Sequence, residues 1–329
     1  MIPQATILHT NNLTVGYRKG ANQLPVLTDI NVGLEAGRLV CFMGPNGIGK
    51  STLIRTLCGA QPALKGSVAI NGTDLTTYSP GELATIIGVV YTDRIAAGNM
   101  GVKELIGYGR YPYTGWRVSM DSEDEKLIDQ AIELTHVSHL LHKRIYELSD
   151  GQLQKVMIAR AVCQDTPIMI LDEPTAHLDL NNRVEVINLL HNLSRQTNKA
   201  IMMATHELDL ALQVADRIWL AGADQPLLDG FPEDLVLNGS FDEVFGLKGY
   251  DLKTGTLRKK KGDKMVALVG EGYHYLWSKN ALERHGFMID ESASTIIRIE
   301  PGAPISWHLN DKGTYSTLEA LVSQLTNLR

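Results

Sequence analysis

The sequence predicts an α/β fold with an antiparallel β-rich edge, an inserted helical subdomain and a small C-terminal α/β domain. Three observations predict it. A buried-type strand, Leu39 to Met43, leads through a glycine loop into a helix beginning near Lys50, after which β and α segments alternate to about residue 222. The strand signal fades between about residues 93 and 150, where Asp124 to Leu141 has helical periodicity. The pattern then restarts at Met265 beyond a charged stretch.

In chain order, residues 5 to 40 alternate apolar and polar positions with turn-formers between, as in Leu13-Thr14-Val15-Gly16-Tyr17, and predict short antiparallel strands. Gly230-Phe231-Pro232 through Val244-Phe245 reads as a closing turn and helix, which puts the end of the first domain at residue 247. Residues 248–264 read as a linker. The appended domain, 265–329, is expected to contain a strand (Val266 to Val269), a helix (His274 to His285), two strands (Thr295 to Ile299 and Ile305 to Leu309) and a final helix (Ser316 to Asn327). No internal repeat is visible.

Composition narrows the function classes. A chain of 329 residues, 44% hydrophobic and 21% charged, buries a real core. No window approaches 18 consecutive apolar residues and no secretory leader opens the chain, so it is expected neither to cross nor to leave a membrane by itself. Three widely spaced cysteines, Cys41, Cys58 and Cys163, fit a reducing cytosol. A net charge of −6 gives no general reason to bind nucleic acid.

The run Gly44-Pro45-Asn46-Gly47-Ile48-Gly49-Lys50-Ser51, followed by Thr52, matches G-x-x-x-x-G-K-[ST] between a strand and a helix. Glycines let backbone N–H groups wrap the phosphates of ATP, and the helix adds its positive end. Lys50 is expected at the β- and γ-phosphates and the Ser51 hydroxyl on Mg²⁺. A second strand, Ile168 to Leu171, ends in Asp172-Glu173. Two adjacent carboxylates are expensive to bury unless a cation or a proton task awaits them. Asp172 is expected to hold Mg²⁺ through its water shell and Glu173 to polarise the water that attacks the γ-phosphate.

Between these motifs, Leu148-Ser149-Asp150-Gly151-Gln152 resembles the L-S-G-G-Q signature of ATP-binding cassette (ABC) ATPases, standing before a helix and 20 residues ahead of Asp172. The resemblance covers about residues 5 to 247. It implies an ABC ATPase core that works as a homodimer, in which Ser149, Gly151 and Gln152 cover the ATP held by the opposite subunit. It further implies that Tyr17 stacks on adenine, that Asp179 belongs to the dimer-communication loop and that His206 senses the γ-phosphate. Two positions depart from the family pattern: Thr92 stands where most relatives carry glutamine, and Asp150 replaces the signature's third residue, with the expectation that it points away from the phosphate. Gly109-Arg110-Tyr111-Pro112-Tyr113 and Pro174-Thr175-Ala176-His177-Leu178-Asp179 resemble the ATPases of ferric-siderophore, haem and vitamin B12 importers.

That subclass resemblance implies two copies beneath two membrane-spanning permease subunits, fed by an external substrate-binding protein, at the cytoplasmic face of the inner membrane. Residues near 92 to 116 would then face the permease. A cytosolic cassette ATPase and a nucleotide-dependent regulatory switch are the alternatives. Three further signals receive plain readings. His136, His139 and His142 recur every three residues on an expected helix, read as a solvated face because that spacing drifts around the helix. Gly270-Glu271-Gly272 reads as a tight turn and Arg258-Lys259-Lys260-Lys261 as linker charge.

Overall fold

The computed structural model describes residues 6–20, 22–91, 99–114, 120–223, 225–257, 264–302, 304–310 and 312–327. They fall into two compact units, Met1–Gly246 and Leu247–Arg329. The chain begins with β1 (Thr6–Lys19), a single 14-residue strand where the sequence suggests short pieces. The turn-formers that break the pattern, Asn11 and Asn12, are absorbed as a bulge: the register against its neighbour shifts between Asn11 and Thr14, with Asn12 at φ 43°. Antiparallel partners β2 (Asn22–Ile30) and β3 (Gly33–Glu35) flank β1.

The next strand, β4 (Leu39–Met43), is buried at all five positions and runs into α1 (Lys50–Leu57). The chain then returns to the first sheet as β5 (Lys65–Ile70) and β6 (Thr73–Asp74) before α2 (Pro80–Ala84) and β7 (Ile87–Val90). Four helices follow, α3 (Val102–Gly107), α4 (Tyr111–Thr114), α5 (Ser122–Leu134) and α6 (Asp150–Cys163). The unit is completed by β8 (Ile168–Asp172), α7 (Leu180–Thr197), β9 (Ala200–Ala204), α8 (Leu208–Val214), β10 (Arg217–Leu220), β11 (Leu228–Gly230), α9 (Pro232–Leu237) and α10 (Ser240–Phe245). The core sheet has the order β11-β10-β4-β9-β8-β7, parallel except at β11. Strands covered on both faces read as unbroken apolar runs, which is why Ile168 to Leu171 and Ala200 to Ala204 carry no alternation.

The expected helix from Asp124 to Leu141 stops short. His136 lies at φ 55°, the N–H of Val137 donates to the Ile132 carbonyl at 3.2 Å and that of His136 to the Glu133 carbonyl at 3.1 Å. This Schellman ending puts the fully buried Val137 beneath the helix end and turns the chain into a 3₁₀ turn at Ser138–Leu140. The three histidines therefore do not share one helix.

The string Gly109-Arg110-Tyr111-Pro112-Tyr113 has a structural task. A Cβ at Gly109 would lie 2.4 Å from the Arg160 carbonyl oxygen of α6, so only glycine allows this approach. Arg110 donates to the Cys163 carbonyl at 3.0 Å, capping the end of α6, and to Asp124 of α5 at 2.8 Å, while its guanidinium lies 4.0 Å from the Tyr113 ring centre. The hydrogen bond from Arg110, above all, holds the Asp124 carboxyl below the usual carboxylate range. The pair's contribution is thus complete above the ordinary carboxylate value and fades as pH falls through the lowered one. Truncating Arg110 leaves Asp124 without its cation, and Arg110→Ala is expected to cost about 3 kcal/mol of stability in urea denaturation.

In the second unit, part of the expected linker folds: β12 (Tyr250–Asp251) and β13 (Thr256–Leu257) pair as a hairpin. Beyond it come β14 (Lys264–Val269), α11 (Gly272–Arg284), β15 (Phe287–Ile289), β16 (Ile296–Glu300), β17 (Ser306–Leu309), β18 (Thr314–Tyr315) and α12 (Leu318–Asn327). Their sheet order is β15-β14-β16-β17-β18. Its core gathers Val266, Leu268, Leu282, Phe287, Trp307 and Leu321, and the Trp307 indole donates to the Ser278 hydroxyl at 2.7 Å. Gly270 and Glu271 form the two-residue connection from β14 into α11, whose first residue is Gly272. The basic run Arg258 to Lys261 lies outside the described residues.

Candidate functional site

Three neighbouring parallel strands, β4, β9 and β8, end side by side, about 4.8 Å apart at each step. The glycine loop follows β4, His206 stands two residues beyond β9, and Asp172 and Glu173 close β8. Ligands of open α/β sheets bind outside such carboxyl ends. Residues 44 to 52, Asp172, Glu173 and His206 are thereby brought together by topology, although 162 positions separate Gly44 from His206.

The loop is shaped for backbone contact. Asn46 and Gly47 lie exposed at its tip beyond Pro45, whose carbonyl accepts from the Ile48 N–H at 3.3 Å. Gly49 adopts φ 114°, and a Cβ there would stand 2.4 Å from Val26 Cγ1, so glycine is required. No side chain caps α1 and its first turn holds no acid, which leaves the helix's N-terminal end open to an anion. Lys50 is buried, and its Nζ donates to the Gly44 carbonyl at 3.0 Å, arching across the loop. Tyr17, 47% exposed, has its hydroxyl 2.9 Å from that of Thr52. The aromatic ring thus stands beside the start of α1, and the Thr52 hydroxyl is engaged with it.

Burial pushes the Asp172 carboxyl above the usual range, the neighbouring Glu173 adds to the effect, and a hydrogen bond from Ser51 with the charges of Lys50 and Arg55 offsets it in part. A hydroxyl and an undercompensated carboxylate are hard oxygen donors of the kind Mg²⁺ takes. Glu173 leaves the strand at φ 47°, a left-handed conformation costly for a side chain with a Cβ and fixed here by its N–H donating to the Ala204 carbonyl at 3.0 Å. Its carboxylate is 3.7 Å from Nδ1 of His206, whose side chain is half exposed.

A second cluster forms at the start of α7. Ser149 caps α6 and exchanges hydrogen bonds with Gln152, each 3.3 Å long. Gly151 abuts Asn182, whose Oδ1 would lie 2.4 Å from a Cβ placed there. Asn182 in turn donates from its side chain to Asp179 at 3.0 Å, and Asp179 caps α7. Asp150 is exposed. Sequence reading missed Asn182, Arg183 and Glu207: each sits near a helix start, where polar side chains are ordinary, and nothing in linear spacing reveals what they touch. Thr92 and its neighbour Asp93 lie outside the described residues.

The profile of the ABC transporter family matches residues 27–176. An uncharacterized ABC transporter ATP-binding protein of Methanocaldococcus jannaschii is 35% identical over 264 residues, covering 78% of this chain and 90% of that protein. The chain belongs to the ATP-binding cassette family. Its cassette is an ATPase of the ABC type, with the fold expected from sequence. The ferric enterobactin transport ATP-binding protein of Escherichia coli is 32% identical, over 73% of this chain and 88% of that one. A solved nucleotide-free cassette from an ABC transporter superposes with TM-score 0.63 at 26% identity, covering 73% of this chain and 98% of that structure. The profile of the iron ABC transporter C-terminal domain matches residues 263–326, a region in which sequence reading found no motif. No helix among the described residues is long and apolar enough to cross a membrane.

Proposed function

We propose that this cassette hydrolyses ATP as a homodimer bound beneath two permease subunits, and that the permease imports an iron chelate, a ferric siderophore or haem, or cobalamin. The observation that carries the ATPase chemistry is the strand-end cluster, where a basic loop, two carboxylates and a histidine converge. Lys50 moves from the Gly44 carbonyl to the β- and γ-phosphates while the backbone of residues 44 to 49 encloses them. Ser51 and Asp172 would hold Mg²⁺, which neutralises phosphate charge when bound. Glu173 orients the attacking water and takes its proton, and His206 hydrogen-bonds the γ-phosphate. Tyr17 offers its ring to adenine.

The exposed N-terminal end of α6, with Ser149, Gly151 and Gln152, supports a second, facing role: covering the ATP of the other copy, with Asp179 at the seam between copies. Closure and reopening of this dimer shift the permease between its two faces. The iron reading is supported by the C-terminal profile and by the ferric enterobactin relative. A place on the cytoplasmic face of the inner membrane follows from a permease partner, and the exposed Tyr111 and Tyr113 suit that contact. The substrate-binding protein outside acts on the permease, not on this chain. Purifying a tagged Glu173→Gln chain from gently solubilised native membranes is expected to bring down a polytopic permease whose chelate uptake can be assayed. Recovery of soluble partners only would overturn the transporter reading.

A further inference from the structure

We infer that Arg183 is a positioning residue for the hydrolytic site, holding His206 and the loop that carries Asp179 in one arrangement through Glu207. The inference rests on the reading of Glu173 and His206 proposed above. Arg183 lies in the first turn of α7, five residues after Leu178 and 24 before Glu207, the two groups it joins. Its Nε donates to the Leu178 carbonyl at 2.7 Å, and Nη1 lies 2.9 and 3.1 Å from the two carboxylate oxygens of Glu207. Glu207 Oε1 is also 3.6 Å from Nε2 of His206.

His206 therefore stands between two carboxylates, Glu173 at Nδ1 and Glu207 at Nε2. The guanidinium sets them apart in kind. Glu207, 15% exposed, is neutralised by Arg183, so its pull on the imidazole is weakened and its place is fixed. Although Glu207 directly precedes α8, its side chain does not cap that helix and is turned to Arg183 instead. The same guanidinium holds the carbonyl of Leu178, one residue before Asp179. Any shift of that loop is thus felt by Glu207 through the two hydrogen bonds of Arg183, and by His206 through the close 3.6 Å electrostatic contact with Glu207. Planar, multidentate contact of this kind is a property of arginine that lysine does not share.

Steady-state ATP hydrolysis and ATP binding by the full chain test the inference. Arg183→Ala is expected to lower kcat by about 10-fold or more with KM for ATP changed by less than about 3-fold, the pattern of a lost transition-state interaction. Arg183→Lys, which retains the charge beside Glu207, is expected to recover part of kcat. In a Glu207→Gln background the charge that Arg183 neutralises is gone, and adding Arg183→Ala should cost less than about 3-fold. A normal kcat in Arg183→Ala, or losses that multiply in the double variant, would overturn the inference while leaving the site reading intact. A wild-type chain without turnover would instead remove the site reading and this inference with it.

Discussion

Glu173→Gln is expected to bind ATP as tightly as the parent chain and to hydrolyse it at least about 100-fold more slowly. The amide keeps the size of the side chain and can adopt the same left-handed backbone, so the pocket is preserved. What it loses is the carboxylate proposed above to take the proton of the attacking water, beside His206 and at the end of β8. Charge explains the asymmetry between the two measurements. Glu173 lies next to Asp172 and raises its carboxyl, so neutralising Glu173 relieves repulsion and does not weaken phosphate binding. Nucleotide-bound material should accumulate, visible as ATP retained on gel filtration. Turnover at the parent rate would remove Glu173 from the chemistry.

Lys50→Ala is expected to fail earlier, at binding. Its ammonium is buried, and the Gly44 carbonyl that holds it is an uncharged partner it can leave for phosphate oxygens. Charge-assisted hydrogen bonds to phosphate are worth roughly 1.5–3 kcal/mol each, so losing two lowers ATP affinity by about 100-fold or more. The fold should survive, since the hydrogen bonds that disappear go only to two carbonyls of the loop itself, those of Gly44 and Pro45. Isothermal titration with ATP, beside a thermal melt of the same sample, separates the two effects. Parental affinity in a folded Lys50→Ala chain would show that the loop cradles phosphate by its backbone alone.

What was legible in the sequence follows from how information is carried along a chain. The loop from Gly44 to Thr52, the pair Asp172-Glu173 and the cap at Ser149 are contiguous strings whose local geometry is dictated by their own residues. The parallel core was legible because burial on both faces writes itself as Leu39 to Met43 and Ile168 to Leu171. The end of α5 was not, because His136 takes a left-handed conformation more often filled by glycine, and only the buried Val137 after it explains the choice. The three-residue strand β15 and the hairpin β12–β13 were invisible because two or three residues carry no period. Arg183 and Glu207, 24 positions apart, meet only when α7 and the turn after β9 are packed.

One consequence of the packing of α6 is mechanical. The helix has 14 residues, about 21 Å at 1.5 Å per residue, with the guanidinium of Arg110 gripping its last carbonyls and the signature serine at its opposite tip. Over that length about 5° of tilt at the Arg110 end moves the Ser149 tip by about 2 Å, the difference between a hydrogen bond and none, and because Gly151 abuts Asn182 the same tilt must carry the start of α7 with it. Tyr111 and Tyr113 are exposed beside that end of the helix, so a tilt set there would reach Ser149 and the start of α7 together.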